Sequence, residues 1–136
     1  MVTGLARAAF EEALEYSKNR VQGGVPISEH QLVQKKLFDM FTRVETSRHL
    51  SRAALIYNEN QFPPGTQFSI TSKVYCTQAA FDVASDALQL HGGYGLTKDL
   101  LIEKLFRDAR ASMIEDGSND ILSLTAAKKI IEQYVV

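Results

Sequence analysis

Two glycine turns hold the residues best placed to do chemistry. In Ile114-Glu115-Asp116-Gly117-Ser118-Asn119-Asp120 a carboxylate, Asp116, stands immediately before a glycine and just ahead of a helix start. The free N–H groups of such a start favour an anion or a polar ring edge, and a carboxylate presented there is placed to act as a general base. The plainer reading of the same residues is an acidic helix cap. In Gln89-Leu90-His91-Gly92-Gly93-Tyr94-Gly95 the glycines let the backbone approach a ligand closely. The plainer reading here is a helix C-cap followed by a loop. No strand precedes this segment and it closes a helix, so it is not a dinucleotide-binding fingerprint. Arg20 offers a guanidinium fork of the kind that suits a pyrophosphate, or simply a cation at a helix C-terminus. Glu103-Lys104-Leu105-Phe106-Arg107-Asp108-Ala109-Arg110 places opposite charges four residues apart, the spacing of surface ion pairs on a helix.

These residues sit at the ends of helices. A first helix is expected from about residue 2 to 22, with Leu5, Ala8, Ala9, Leu14 and Tyr16 toward the core, ending at Gly23-Gly24-Val25-Pro26. Ser28-Glu29-His30-Gln31 reads as a capping box, the Ser28 hydroxyl accepting from the Gln31 amide. The second helix, about 29 to 59, carries Val33, Leu37, Met40, Val44, Ser47, Ser51 and Ala54 on one face. Pro63-Pro64-Gly65 turns the chain into a third helix from about Thr66, with Ile70, Val74, Thr77, Phe81, Ala84, Leu88 and His91 on one face. A shorter helix follows over roughly Asp99 to Ala111. The last starts with Ser118 as N-cap and Asp120 in its first turn, and is expected to bury Ile121, Leu124, Ala127, Ile131 and Val135. The fold class is therefore all-α: an up-down four-helix bundle with an additional short helix.

Composition narrows the function classes. Fifteen Lys and Arg against 16 Asp and Glu leave a net charge of -1, without the basic balance of a nucleic-acid module. No run of 18 apolar residues is free of charge, so no membrane span is expected. Cys76 is the only cysteine, so no disulfide closes within the chain and a reducing cytoplasm is the expected compartment. Three scattered histidines and one cysteine give no metal-ligand spacing.

Taken in order, Tyr16 and Arg20, Glu29-His30-Gln31, Gln89 to Gly95, Arg107-Asp108-Ala109-Arg110 and Asp116-Gly117-Ser118-Asn119-Asp120 form a series. This series resembles the C-terminal helical domain of the flavin-dependent acyl-CoA dehydrogenases, over nearly the whole chain from about Gly4 to Ile131. The resemblance implies a single bundle over 1–136, without the N-terminal helical and middle β domains that complete such proteins. It implies FAD as cofactor, an acyl-CoA as substrate, a homodimer or tetramer that shares FAD across the dimer interface, and electron-transfer flavoprotein as a partner. The implied reaction removes the α-proton of the thioester with a carboxylate while the β-hydride passes to the flavin, giving the 2-enoyl-CoA. The catalytic position falls on Asp116. Arg20, Gln31, Gln89, Leu90, His91, Gly92, Gly93, Ser118 and Asp120 fall on positions that meet FAD, and Gly117 on one that borders the thioester.

Three positions depart from the family pattern. Asp116 stands where the family has Glu, and one methylene less retracts the carboxylate by about 1.5 Å. Arg20-Val21-Gln22-Gly23-Gly24 replaces Arg-x-x-Phe-Gly, removing an aromatic contact to the flavin. Leu100-Leu101 replaces a Tyr-Pro pair ahead of Ile102-Glu103. Two alternatives stay open on the residues alone: a non-catalytic helical module for oligomerisation, and a flavin monooxygenase on the same scaffold.

Overall fold

The computed structural model describes residues 1–133. Five helices carry the fold: α1 (Val2–Asn19), α2 (Gln31–Glu59), α3 (Thr66–His91), α4 (Ile102–Ser112) and α5 (Asn119–Gln133). Between α1 and α2 lies a two-stranded antiparallel hairpin, β1 (Val21–Gln22) and β2 (Val25–Pro26), with Val21 opposite Pro26. The all-α class and the bundle follow the sequence reading. α3 is the central rod, packing against α1, α2, α4 and α5.

The core forms where small residues let helices approach. α1 buries Ala6, Ala9 and Ala13, α3 buries Ala80, Val83, Ala84 and Ala87, and Ala109 of α4 closes the same cluster. Met40 and Val44 of α2, with Ile102 and Leu105 of α4, supply its larger side chains. Full burial of a side chain such as Met40 contributes about 1.5–3 kcal/mol. At the rim, Lys36 pairs with Asp86, and Arg43 reaches Asp82 and Asp86, stitching α2 to α3. Such part-exposed pairs are each worth up to about 1 kcal/mol. The stripes expected on α2 and α3 hold: Met40, Val44, Ser47 and Ala54 are buried, as are Ile70, Thr77, Ala84 and His91. No helix among the described residues is long and apolar enough to cross a membrane.

Four local expectations are corrected. α1 stops at Asn19, because Arg20 turns extended (ψ 121°) and enters the hairpin. Gly23 and Gly24 therefore make the hairpin turn and do not end the helix. The buried face of α1 is Ala6, Ala9, Ala13 and Ser17, so Leu14 and Tyr16 lie on its flank, half-buried. The Ser28 capping box does not form: Ser28 lies in the 3-10 turn Ile27–Glu29, His30 is the N-cap of α2 without a side-chain cap, and the Ser28 carbonyl accepts from Gln34 Nε2 at 3.0 Å. On α5 the expected apolar face is not covered. Ile121, Leu124 and Ile131 are 62%, 63% and 83% exposed, and Ala126 is the residue that is buried. Val135 lies outside the described residues.

Candidate functional site

At one end of α3 the chain builds a cleft. α3 ends on His91, and Gly92 turns away at φ 62°, ψ -148°, a conformation that requires glycine. The five residues Gly92–Leu96 continue as a 3-10 turn. His91 is buried, its Nδ1 2.8 Å from the Ala87 carbonyl. Since a carbonyl only accepts, Nδ1 carries the proton in that contact. The Tyr16 ring stacks on the imidazole, with centroids 4.2 Å apart and planes tilted by 31°. Tyr16 Oη reaches the His91 carbonyl at 3.5 Å.

Tyr16, Arg20, Gln89, Leu90, His91, Gly92 and Gly93 thus line one cleft of about 380 Å³, together with Gln22, Ile27 and Tyr94. Arg20 and Gln89 are exposed, Leu90 is half-buried, and an added Cβ at Gly92 or Gly93 would meet nothing within 4 Å. The Arg20 side chain makes no hydrogen bond or ion pair among the described residues, so its guanidinium fork is available. The residues present therefore fit the pyrophosphate part of a dinucleotide. Gln31, the first residue of α2, is exposed and lies outside the lining of this cleft.

The second turn leaves α4 and enters α5. Asp116 has φ 55° and Gly117 φ 95°, two successive residues in the left-handed region. A side chain at position 117 would be strained there, and its Cβ would press on Leu122 at 3.2 Å. Asp116 and Gly117 are exposed. The turn is closed by the Asn119 N–H donating to the Met113 carbonyl at 3.0 Å. The Ser118 hydroxyl accepts weakly from the Ile121 N–H at 3.5 Å, as expected for the N-cap, and Asp120 sits exposed in the first turn of α5. Glu115, also exposed, lines a separate cleft with Met1, Val2, Leu5, Asp108, Ala111 and Ser112. The carboxylate presented by the left-handed turn is that of Asp116.

Three residues missed by the site reading hold this turn. Lys73 Nζ donates to the Gly117 carbonyl and to Asn119 Oδ1, both at 2.8 Å. Asn119 Nδ2 donates to Thr77 Oγ1 at 2.9 Å, and the Thr77 hydroxyl has the Lys73 carbonyl at 2.9 Å. A hydroxyl at an inward position of α3 was the available signal, since a buried polar atom needs partners. The Arg107–Glu103 and Lys104–Asp108 pairs form on α4 as the spacing suggested.

The two turns are far apart. Lys73 and His91 are separated by 18 residues of α3, or about 27 Å at helical rise. One copy of the chain therefore places its base-bearing turn and its arginine-glycine cleft at separate levels of the bundle.

Comparison with known proteins agrees with this architecture. The family described as acyl-CoA dehydrogenase, C-terminal domain, matches residues 1–131. An acyl-CoA dehydrogenase of Bacillus subtilis is 41% identical over 128 residues, covering 94% of this chain and 34% of that protein. Cyclohexane-1-carbonyl-CoA dehydrogenase of Geobacter metallireducens is 35% identical over 131 residues, covering 96% of this chain and 34% of its own length. Among solved structures, butyryl-CoA dehydrogenase from Megasphaera elsdenii superposes with a TM-score of 0.91 at 31% identity, over 96% of this chain and 34% of that one. A chain from a structure of the electron transferring flavoprotein of Acidaminococcus fermentans gives 0.90 at 32% identity, over 97% of this chain and 34% of that one. The protein belongs to the acyl-CoA dehydrogenase family and corresponds to its C-terminal helical domain. The chain spans about a third of the length of the curated relatives it matches.

Proposed function

We propose that this bundle is the C-terminal part of an FAD-dependent enzyme that converts an acyl-CoA thioester to its 2-enoyl-CoA, with Asp116 as the base. The observation that carries the reading is the left-handed turn, which presents the Asp116 carboxylate exposed at the start of α5. Asp116 takes the proton from the carbon next to the thioester carbonyl. The pair left by that C–H bond forms the new double bond as the β C–H bond breaks. Bound FAD supplies the acceptor for the β-hydrogen and its electron pair. Gly117 permits the left-handed turn that presents the carboxylate and borders the thioester end of the substrate. Arg20 and the Gln89–Gly93 segment hold a diphosphate through the guanidinium and close backbone, with Gln31, Ser118 and Asp120 as further polar contacts to the cofactor.

The 27 Å or so between the two turns supports a shared arrangement. In it, the Arg20 and Gln89–Gly93 cleft of one copy serves the cofactor whose substrate meets Asp116 of the other. A homodimer, or a pair of dimers, satisfies it. Electrons would leave such an enzyme to an electron-transfer flavoprotein, and the cytoplasm is the proposed compartment.

The test joins this chain to, or expresses it with, the FAD-binding remainder of an acyl-CoA dehydrogenase. Bleaching of the flavin absorbance and formation of enoyl-CoA on adding acyl-CoA is the expected result. A reconstituted protein that binds flavin but reduces it with no acyl-CoA overturns the dehydrogenase reading.

One observation favours a second reading, a module for assembly alone. Phe38, Ile121, Leu124 and Ile131 are between 62% and 83% exposed on α2 and α5, more apolar surface than a free bundle gains from showing. Purified chain that associates without flavin, together with a reconstituted protein in which Asp116→Asn changes nothing, selects that reading.

A further inference from the structure

We propose that Lys73 is the positioning residue of the turn that carries Asp116. Its ammonium draws the Gly117 carbonyl onto α3 and thereby fixes the carboxylate one residue earlier. The proposal rests on the dehydrogenase reading for its catalytic consequence, and on geometry alone for the tie itself.

The geometry is specific. Lys73 and Thr77 stand one turn apart on α3, facing α5. Lys73 gives two hydrogens to the turn, one to the Gly117 carbonyl and one to Asn119 Oδ1. Asn119 is itself oriented, because its Nδ2 is spent on Thr77 Oγ1. The Thr77 hydroxyl has the Lys73 carbonyl at 2.9 Å and the Val74 carbonyl and Asn119 Oδ1 at 3.2 Å as acceptors. Lys73, Thr77 and Asn119 thus form one connected network that ties the start of α5 to α3.

Lys73 has no role in ion pairing to explain it. No carboxylate lies within 4.0 Å of its ammonium among the described residues. A half-buried cation is here committed to two neutral acceptors, both on the turn. Hydrogen bonds to a charged donor are the stronger kind, worth about 1.5–3 kcal/mol. That matters because positions 116 and 117 are both left-handed, an arrangement that costs about 1–2 kcal/mol at a non-glycine residue such as Asp116. Without an external tie, rotation of the 117–118 peptide lets the turn relax and moves the carboxylate. A trans peptide holds its C=O and N–H antiparallel. Drawing the Gly117 oxygen toward α3 therefore turns the Ser118 N–H away from it, and the plane of the turn is set.

The test compares Lys73→Met, which keeps length and helix propensity but removes the charge, with Lys73→Arg, which keeps the donors. In the 136-residue chain, amide hydrogen exchange is read at Asn119 and Leu122, whose N–H groups bond to Met113 and Ser118. Lys73→Met is expected to speed exchange there about tenfold or more while the amides of the α1–α3 core are unchanged. In the protein joined to its FAD-binding remainder, Lys73→Met is expected to lower kcat about 10- to 100-fold with KM held within about threefold. Lys73→Arg is expected to recover most of kcat. Unchanged exchange at Asn119 and Leu122 overturns the tie. Unchanged kcat, or a rise in KM alone, overturns the positioning role. If the joined wild-type protein binds flavin but reduces it with no acyl-CoA, the dehydrogenase reading and the catalytic role of Lys73 fall together, and the exchange measurement still decides whether Lys73 holds the turn.

Discussion

The Tyr16 ring of α1 packs on His91 of α3 with ring centroids 4.2 Å apart and planes tilted by 31°, and this pair forms part of the wall of the arginine-glycine cleft. It joins the end of one helix to the end of another, so it ties cleft shape to bundle stability. Tyr16→Ala is expected to cost about 1–3 kcal/mol, since a half-buried aromatic and its stacking partner are lost. Tyr16→Phe keeps the ring and gives up only a 3.5 Å hydroxyl contact, so its cost is expected below about 0.5 kcal/mol. Urea midpoints of the two variants check this. Equal effects would show that the hydroxyl, not the stack, is what counts.

Gly117 is bound by conformation and Gly93 is not. Gly117→Ala puts a side chain at φ 95° against Leu122 and is expected to destabilise the chain by about 1–2 kcal/mol. An added Cβ at Gly93 meets nothing within 4 Å, so Gly93→Ala is expected to stay within about 0.5 kcal/mol. Thermal unfolding of the pair distinguishes them, and a larger shift for Gly93 would contradict the backbone geometry given for the two turns.

Asp116→Asn preserves shape and removes the base. In the joined protein the rate of flavin reduction by acyl-CoA is expected to fall about 10²–10⁴-fold. The unfolding midpoint of the isolated chain should not move, because Asp116 is exposed and accepts no hydrogen bond among the described residues. Stopped-flow absorbance reads the first and circular dichroism the second.

Acid weakens the surface pairs in a defined direction. The Arg107 guanidinium hydrogen-bonds Glu103 and holds its carboxyl below the ordinary value, and the Lys35 ammonium does the same to Asp39. Both carboxylates bind protons more readily in the unfolded chain. Their contribution is complete above the unfolded values, about 4.3 for Glu and 3.9 for Asp, and is lost as pH falls through the lower folded values. The unfolding temperature is expected to drop between pH 5 and 3, on the order of that window, and Glu103→Gln is expected to drop less over the same interval. An equal drop in the variant would show that the α4 pair contributes nothing.

Periodicity made the bundle legible because α2 and α3 bury one face each, and Met40, Val44, Ala84 and His91 fall where their spacing puts them. It failed on α5, where Ile121, Leu124 and Ile131 keep a helical repeat that nothing in the described chain covers. A repeat reports an apolar face, not its partner. The end of α1 was missed because Arg20 and the residues after it carry no helix-stopping type before Gly23, and the stop comes from pairing Val21 with Pro26. At the site, Arg20 and the Gln89–Gly93 segment are brought together as their resemblance implied, whereas Gln31 stands outside the cleft. The left-handed φ of Asp116 was not legible, since only the glycine after it signals an unusual backbone. Lys73 was invisible for a different reason: a lysine within a helix normally points to water, and only the folded chain shows its two acceptors.

The length of α3 between its two loaded ends has a genetic meaning. If a functional unit takes its base from one subunit and its arginine-glycine cleft from the other, damage at the two ends belongs to different complementation groups. A copy carrying Asp116→Asn and a copy carrying Arg20→Ala would each be inactive alone. Mixed into a symmetric dimer, they would rebuild one intact site of two, and random pairing would return about a quarter of full activity. With both changes on one copy, its pairing with an intact copy would leave each site short of either the base or the cleft, and two changes at the same end on different copies would likewise rescue nothing.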